Sequence, residues 1–282
     1  MSNQTGTLYI VATPIGNLED LSPRAVQIFK KVKYVAVEDT RHSRKLFQHY
    51  CLSPRVLSIH KFNEHKSEIK IVKFLEAGDD VALISDAGTP LICDPGLGLV
   101  KLCHIKGIKV IPIPGPSALI CALSIAGLEA EKFLFEGFLS DKKTKRINQL
   151  RNLEYESRTM VFFEAPHRII DFLKDLINVF GTERTVVVAR EITKKFEVTK
   201  SAAAQKILEW ILQDANQQKG EFVVIVKGNL ERENQFSFKT GLILKLLLEE
   251  LPLKKAASIT SKITGNSKNE IYQLGLKLQN KK

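Results

Sequence analysis

Over the first 110 positions, short runs of apolar, mostly β-branched residues alternate with amphipathic stretches. Residues 8–12, 34–37, 56–59, 81–85 and 108–112 read as strands buried on both faces, because few polar residues interrupt them. Helices are predicted between them. Ser22 offers an N-cap with Pro23 at the first helical position, a second helix runs to about Tyr50, a third spans 64–77 before Gly78, and a fourth spans 97–106. This alternation predicts a largely parallel sheet with helices on both faces.

The stiff segment Pro112-Ile113-Pro114-Gly115-Pro116 reads as a linker, followed by a small-residue helix over 117–126 that Gly127 closes. Further strands are predicted near 133–136, 159–163, 185–189 and 221–226, with helices near 166–180 and 202–213. After Gly228 the pattern changes. A leucine-rich helix over 242–251 stops at Pro252, a second spans 253–263 before Gly265-Asn266, and Ser267-x-x-Glu270 is a capping box opening a third to about 278. Helix, turn and capped helix resemble a helix-turn-helix module, the alternative being a small structural bundle. The expected fold class is therefore α/β. Two α/β lobes, residues 1–114 and 115–230, enclose a cleft, and a small helical domain, residues 231–282, follows.

Composition changes the picture in one respect. Hydrophobic residues make up 44% and charged residues 26%, as in an ordinary soluble protein. No run of about 18 apolar residues predicts a membrane span. Residues 1–7 are polar and lack the core of a signal peptide, and the four cysteines form no C-x-x-C pair, so a cytoplasmic setting is expected. The histidines form no ligand cluster, and no metal is expected. The charge is distinctive: 42 Lys and Arg oppose 31 Asp and Glu, a net +11. Residues 232–282 hold ten Lys/Arg against four Glu, and Lys142, Lys143, Lys145, Arg146 and Arg151 stand against Asp141 alone. Two concentrated patches favour a polyanionic partner over a generally solvated basic surface.

Open α/β sheets bind ligands beyond the carboxyl ends of their strands. Here those ends read Thr13-Pro14-Ile15-Gly16, Glu38-Asp39-Thr40, His60, Asp86-Ala87-Gly88-Thr89-Pro90 and Pro114-Gly115-Pro116-Ser117. The second lobe adds Glu136-Gly137-Phe138-Leu139, Glu164-Ala165-Pro166-His167-Arg168 and Arg190-Glu191. Turn chemistry accounts for the glycines and prolines, but less well for Glu38, Asp39 and Asp86. No G-x-G-x-x-G, P-loop or G-x-S-x-G motif is present, so dinucleotide, nucleotide-hydrolysing and serine-nucleophile chemistry lack their signatures.

These strand-end motifs carry a resemblance. Residues 9–20 (YIVATPIGNLED), 38–42 (EDTRH), 85–90 (SDAGTP), 112–118 (PIPGPSA), 135–139 (FEGFL), 163–168 (FEAPHR) and 189–197 (AREITKKFE) match, in order, the ribosomal RNA branch of the tetrapyrrole methylase superfamily. The likeness covers about residues 7–228, and the basic tail resembles the branch's C-terminal extension. It implies that S-adenosylmethionine is held between the lobes, that the reaction is 2′-O-methylation of a cytidine in 16S rRNA of the 30S subunit, and that the protein is a homodimer. The cofactor would be held by Pro14, Gly16, Asp86, Ala87, Gly88, Thr89, Ser117, Ala118, Phe138, Leu139, Ala165, Pro166 and Ala189. A ribose hydroxyl needs a base to take its proton, and Glu38, Asp39 and Glu164 are the leading candidates, with His167 and Glu191 also at strand ends. Arg41, Lys142, Lys143, Lys145, Arg146, Arg168, Arg190 and Lys194 would meet RNA phosphates, the alternative for Glu164, Arg190 and Glu191 being ion pairs between the lobes. The sequence departs from the branch at Lys61-Phe62, at Ser140 and at Val198-Thr199-Lys200. A tetrapyrrole methyltransferase of the same fold and a non-catalytic RNA-binding module are the competing readings; the basic patches disfavour the first and the intact strand-end motifs the second.

Overall fold

The structure, a computed structural model, describes residues 5–60, 63–229 and 232–279, so Lys61 and Phe62 and most of residues 1–7 lie outside the described residues. Strands β1 (Thr7–Val11), β2 (Tyr34–Val37), β3 (Arg55–Ser58), β4 (Val81–Leu83) and β5 (Lys109–Ile113) form one sheet in the order β3-β2-β4-β1-β5, every pairing parallel. Alternate strand residues serve opposite faces. Tyr9, Val11, Val35 and Val37 pack on Phe29 of helix α1 (Pro23–Lys31) and on Leu46 and Phe47 of α2 (Thr40–His49). Leu8, Ala36, Val81 and Leu83 pack on Ile71, Val72 and Leu75 of α3 (Glu64–Glu76) and on Leu99 and Cys103 of α4 (Leu97–Ile105). Burial on both sides is the reason these strands read as unbroken apolar runs. The Ser22 hydroxyl accepts from the Ala25 amide at 3.1 Å, with Pro23 at N1, as the sequence predicts. Pro112 lies inside β5 at the edge of the sheet, where a missing N–H is tolerated, so the chain leaves the first sheet after Ile113.

Helix α5 (Ala118–Ile125) leads into a second sheet. Its strands are β6 (Phe133–Gly137), β7 (Thr159–Glu164), β8 (Thr185–Arg190), β9 (Val198–Ala203) and β10 (Phe222–Val226), in the order β6-β7-β10-β8-β9. Only β6 and β7 run parallel; β10 runs antiparallel to β7 and β8, and β9 antiparallel to β8. One face packs under α6 (Lys143–Leu153), α7 (Ile169–Phe180) and α8 (Ala204–Gln213), through residues such as Leu150, Met160, Phe162, Phe172 and Ile207. The other face receives Leu119, Ala122 and Leu123 of α5 and, from the first lobe, Ile15.

Two elements escape the pattern reading. Strand β9 is an edge strand whose Thr199, Lys200 and Ser201 are exposed, so it shows no apolar signal, and Ala202 and Ala203, expected in a helix, complete it before α8 begins at Ala204. Helix α6 lies inside the basic cluster. Its Arg146 is buried, with Nε donating to Asp175 Oδ2 of α7 at 2.8 Å and Nη2 at 2.7 Å from the same oxygen. Removing one partner would strand a buried charge. Asp175→Ala is expected to destabilise the chain by about 3 kcal/mol or more, read as a lowered urea midpoint; a midpoint unchanged from wild type would contradict the pair's role.

Beyond the lobes stand α9 (Arg232–Glu250), α10 (Leu253–Thr264) and α11 (Lys268–Gln279). Leu244, Ala256, Ala257 and Ile271 form their own core. Gly265, at φ +73°, ends α10 by donating to the Ser261 carbonyl at 2.9 Å, and a Cβ at Gly275 would collide with Leu253 where α11 crosses α10. Among the described residues no helix is long and apolar enough to cross a membrane.

Candidate functional site

The strand-end loops of the first lobe are stitched to one another. Thr13 and Gly88 exchange backbone hydrogen bonds of 2.9 and 3.0 Å, which hold the β1 and β4 loops together, and Gly88 takes φ +79°, a conformation that a side chain disfavours. The Thr89 hydroxyl donates to the Pro116 carbonyl at 3.3 Å, and a Cβ on Gly115 would sit 3.0 Å from that of Ala12. Thus residues 13–16, 85–90 and 114–118, all singled out from sequence, form one wall. Ser117 occupies the N-cap position of α5, and its side chain makes no capping bond.

Four carboxylates gather beside this wall. Asp39 caps α2, accepting the Arg41 amide at 2.8 Å, and it also holds the Arg41 guanidinium, with Nη2–Oδ2 at 2.6 Å. That hydrogen-bonded guanidinium lowers the Asp39 pKa to about 2. Asp86 accepts the Asp39 amide through Oδ1 at 3.0 Å and faces His42 Nδ1 through Oδ2 at 3.4 Å, joining the ends of β2 and β4. Glu38 is half-buried and has no hydrogen bond or ion pair among the described residues; burial first, and then the charges of Asp86, Asp94 and Asp39, raise its pKa. Burial likewise raises Asp94, against a hydrogen bond from Ser85 and aided by Asp86. Asp94 was not singled out from sequence, because it follows the SDAGTP motif in a loop with no pattern of its own.

The second wall is one edge of the second sheet. Phe222 pairs with both Glu164 and Arg190, and Val198 with Arg190, so the carboxyl ends of β7 and β8 share an edge with the amino ends of β9 and β10. Glu164 is buried and accepts from the Ala165 amide at 2.8 Å and from Arg168 Nη2 at 3.3 Å, with Arg168 Nε 3.1 Å from its other oxygen in the ion pair. Burial raises its pKa, against the Ala165 amide and Arg168. Arg168 also donates to the Leu139 carbonyl at 2.8 Å, fixing the turn after β6. Glu191 holds Lys194 Nζ at 3.0 Å and the Glu221 amide at 2.9 Å, and these, with Arg190, outweigh burial and lower its pKa.

Several sequence expectations change here. Glu164 and Glu191 pair within the second lobe and not across the cleft. Among the described residues Arg190 forms no ion pair: its buried guanidinium donates to the carbonyls of Asn216, Lys219 and Phe196. Arg146 and Arg190 are thus turned inward and offer no surface to a phosphate. Lys142, Lys143 and Lys145 are exposed, and Arg41 is exposed with its charge shared with Asp39. Leu139 and Ala189 have core side chains, whereas Phe138 is 55% exposed.

The two walls touch through Ile15 and Gly16 and, elsewhere, through Cys93. Ile15 buries itself among Leu119, Val187, Ala189 and Ile192, and a Cβ on Gly16 would lie 2.5 Å from Lys194 Cγ and 3.0 Å from Thr193 Oγ1. On another side, Cys93 Sγ would lie 2.8 Å from a Cβ on Gly137, and the thiol accepts from the Phe138 amide. Lys194 cannot retreat freely, because Glu191 and Glu221 hold its amine at 3.0 and 3.1 Å. Gly16→Ala is therefore expected to part the walls slightly and lower kcat/KM by about tenfold or more, since misplacement by an ångström can cost a hundredfold; an unchanged kcat/KM would show that the contact does not set the cleft.

The comparisons with known proteins place this geometry. The family model "Tetrapyrrole (Corrin/Porphyrin) Methylases" matches residues 7–208, and the model "RsmI C-terminal HTH domain" matches residues 243–279. The chain is 49% identical to ribosomal RNA small subunit methyltransferase I of Pseudomonas aeruginosa, over 98% of this chain and 99% of that protein. It is 44% identical to the protein of the same name from Escherichia coli O157:H7, over 98% and 97%. Among solved structures, cobalt precorrin-4 methyltransferase CbiF aligns with a TM-score of 0.60 at 16% identity, covering 78% of this chain and 94% of that one. Uroporphyrin-III C-methyl transferase from Thermus thermophilus, complexed with S-adenyl homocysteine, aligns at 0.56 and 17%, over 80% and 99%.

Proposed function

The chain belongs to the tetrapyrrole (corrin/porphyrin) methylase family, and on that premise we propose that it transfers a methyl group from S-adenosylmethionine to the 2′-hydroxyl of a cytidine in 16S rRNA of the 30S subunit. The same reading makes it a cytoplasmic homodimer. Near-half identity over almost the full length to proteins named ribosomal RNA small subunit methyltransferase I supports the substrate class. The basic α10–α11 unit, matched by a helix-turn-helix model, suits an RNA partner better than a macrocycle.

The cleft residues fit the donor. S-adenosylmethionine carries an ammonium and a sulfonium, for which Glu38, Asp86 and Asp94 would supply carboxylates. Gly88, Gly115, Ala118 and Ala165 keep side-chain bulk out of the wall, the Ser117 hydroxyl is not spent on a cap, and the exposed Phe138 ring offers a flat surface for adenine. When bound, the donor supplies an activated methyl group on sulfur. The chain's own task is then alignment and removal of the hydroxyl proton.

Of the three carboxylates expected to act as base, Glu38 suits the task best. Asp39 is committed to the α2 cap and Arg41, with a pKa too low to hold a proton well. The Glu164 carboxylate is fully covered and engaged by Arg168. Glu38 is partly open, has no partner among the described residues, and has its pKa raised by burial and by its acidic neighbours, so it holds a proton better than an ordinary carboxylate. Asp39 and Glu164 become positioning groups, the first for α2 and Arg41 and the second for Arg168 and the Leu139 turn.

Purified protein incubated with methyl-labelled S-adenosylmethionine and unmethylated 30S subunits is expected to place label on the 2′-oxygen of one cytidine of 16S rRNA. Label found only on a porphyrinoid, or no binding of the donor, would overturn the proposal.

A further inference from the structure

The turn between β8 and β9, residues 191–197, belongs to a sequence motif whose aromatic residue has no role so far. Its backbone is costly: Glu191 and Thr193 take φ +54° and +68°, left-handed values that non-glycine residues seldom adopt. A dense set of bonds holds it there. Glu197 Oε2 accepts the Thr193 amide at 2.6 Å, the Lys194 amide donates to the Glu191 carbonyl at 3.0 Å, and the Glu197 amide donates to the Lys194 carbonyl at 3.1 Å. Buried Arg190 donates to the Phe196 carbonyl at 3.3 Å. The product is a rigid platform on which the Phe196 ring is 65% exposed, with Lys195 Nζ 5.6 Å from its centroid. Lys194, two residues before the ring, touches Gly16 of the first lobe, which puts the platform where the two lobes meet, and exposed Lys200 follows on β9.

Strain stored at a surface turn to hold an aromatic ring in solvent points to a ligand for that ring. An exposed aromatic flanked by lysines is the chemistry that holds single-stranded nucleic acid, the ring stacking on a base and the amines meeting its phosphates. We propose that Phe196 is a stacking platform for an unpaired nucleobase next to the methylated ribose, with Lys195 and Lys200 on the adjoining phosphates. This rests on the reading that the chain acts on rRNA.

The test separates the two. Trp210 is the chain's single tryptophan, so Phe196→Trp combined with Trp210→Phe carries one reporter. Titration with a short single-stranded RNA is expected to quench its fluorescence in a salt-dependent way, with no requirement for catalysis. In methylation of 30S subunits, Phe196→Ala is expected to raise KM for the subunit by about tenfold to a hundredfold, with donor affinity unchanged by calorimetry. Phe196→Tyr should restore KM and Phe196→Leu should not. Absence of quenching, an unchanged KM in Phe196→Ala, or equal rescue by leucine would overturn the stacking role, as would loss of self-association in Phe196→Ala, which would make the ring a protein contact. Quenching with no methylation by the wild-type chain would instead leave the platform standing and refute the proposed activity.

Discussion

Glu38→Gln is expected to lower kcat by about two to four orders of magnitude, the usual contribution of a positioned general base. Affinity for S-adenosylmethionine should stay within about threefold, because glutamine keeps the shape of the side chain and removes one of several neighbouring charges. The pH profile gives the argument its sign. Burial and the charges of Asp86, Asp94 and Asp39 favour the protonated carboxyl, so the folded pKa lies above the ordinary 4.5. A base works only when deprotonated, so kcat should rise with pH through that raised value and level off above it. Asp94→Asn removes one of the charges that raise the Glu38 pKa and should move this limb to lower pH. A Glu38→Gln rate within about threefold of wild type would exclude Glu38 as the base, and a large loss of donor affinity would reassign it to cofactor binding.

Ending the chain at Asn229 is expected to reduce kcat/KM for 30S subunits by about a hundredfold or more, because removing ten Lys/Arg from the binding surface forfeits counterion release at several phosphates. The salt dependence of the remaining activity should flatten as well. Donor affinity should hold, since the core of α9–α11 is built from Leu244, Ala256, Ala257 and Ile271, and the cores of the two lobes from other residues. Full methylation of 30S subunits by the shortened chain would show that the helical domain does not engage the RNA.

The first lobe was largely legible in the sequence because its central strands are covered on both faces, which leaves an apolar run between polar turns, as in Val35-Ala36-Val37 and Val81-Ala82-Leu83. The second lobe was legible only where the same condition holds. Strand β9 lies at an edge with exposed Lys200, and α6 looks like a charge run because the pairing of Arg146 with Asp175, 29 residues away, is a tertiary fact. The residue types at the strand ends were visible as motifs, but their division of labour was not. Asp39, Glu164 and Glu38 are all carboxylates at strand ends, and only geometry shows the first two engaged by arginines and the third without a partner among the described residues. Arg190 reads as a phosphate clamp until its three carbonyl partners are seen. Ile15, an apolar residue in a polar loop, was the one local hint that the first lobe inserts a side chain into the second.

The claim on which the rest depends is that a single cleft between the two sheet edges holds the methyl donor. A crystal structure of the chain grown with S-adenosylhomocysteine tests it most directly. The ligand is expected against Asp86–Thr89 and Ser117 on one side and Phe138 and Ala165 on the other, within reach of Glu38. Density for the ligand elsewhere on the protein, with the cleft holding only solvent, would contradict it.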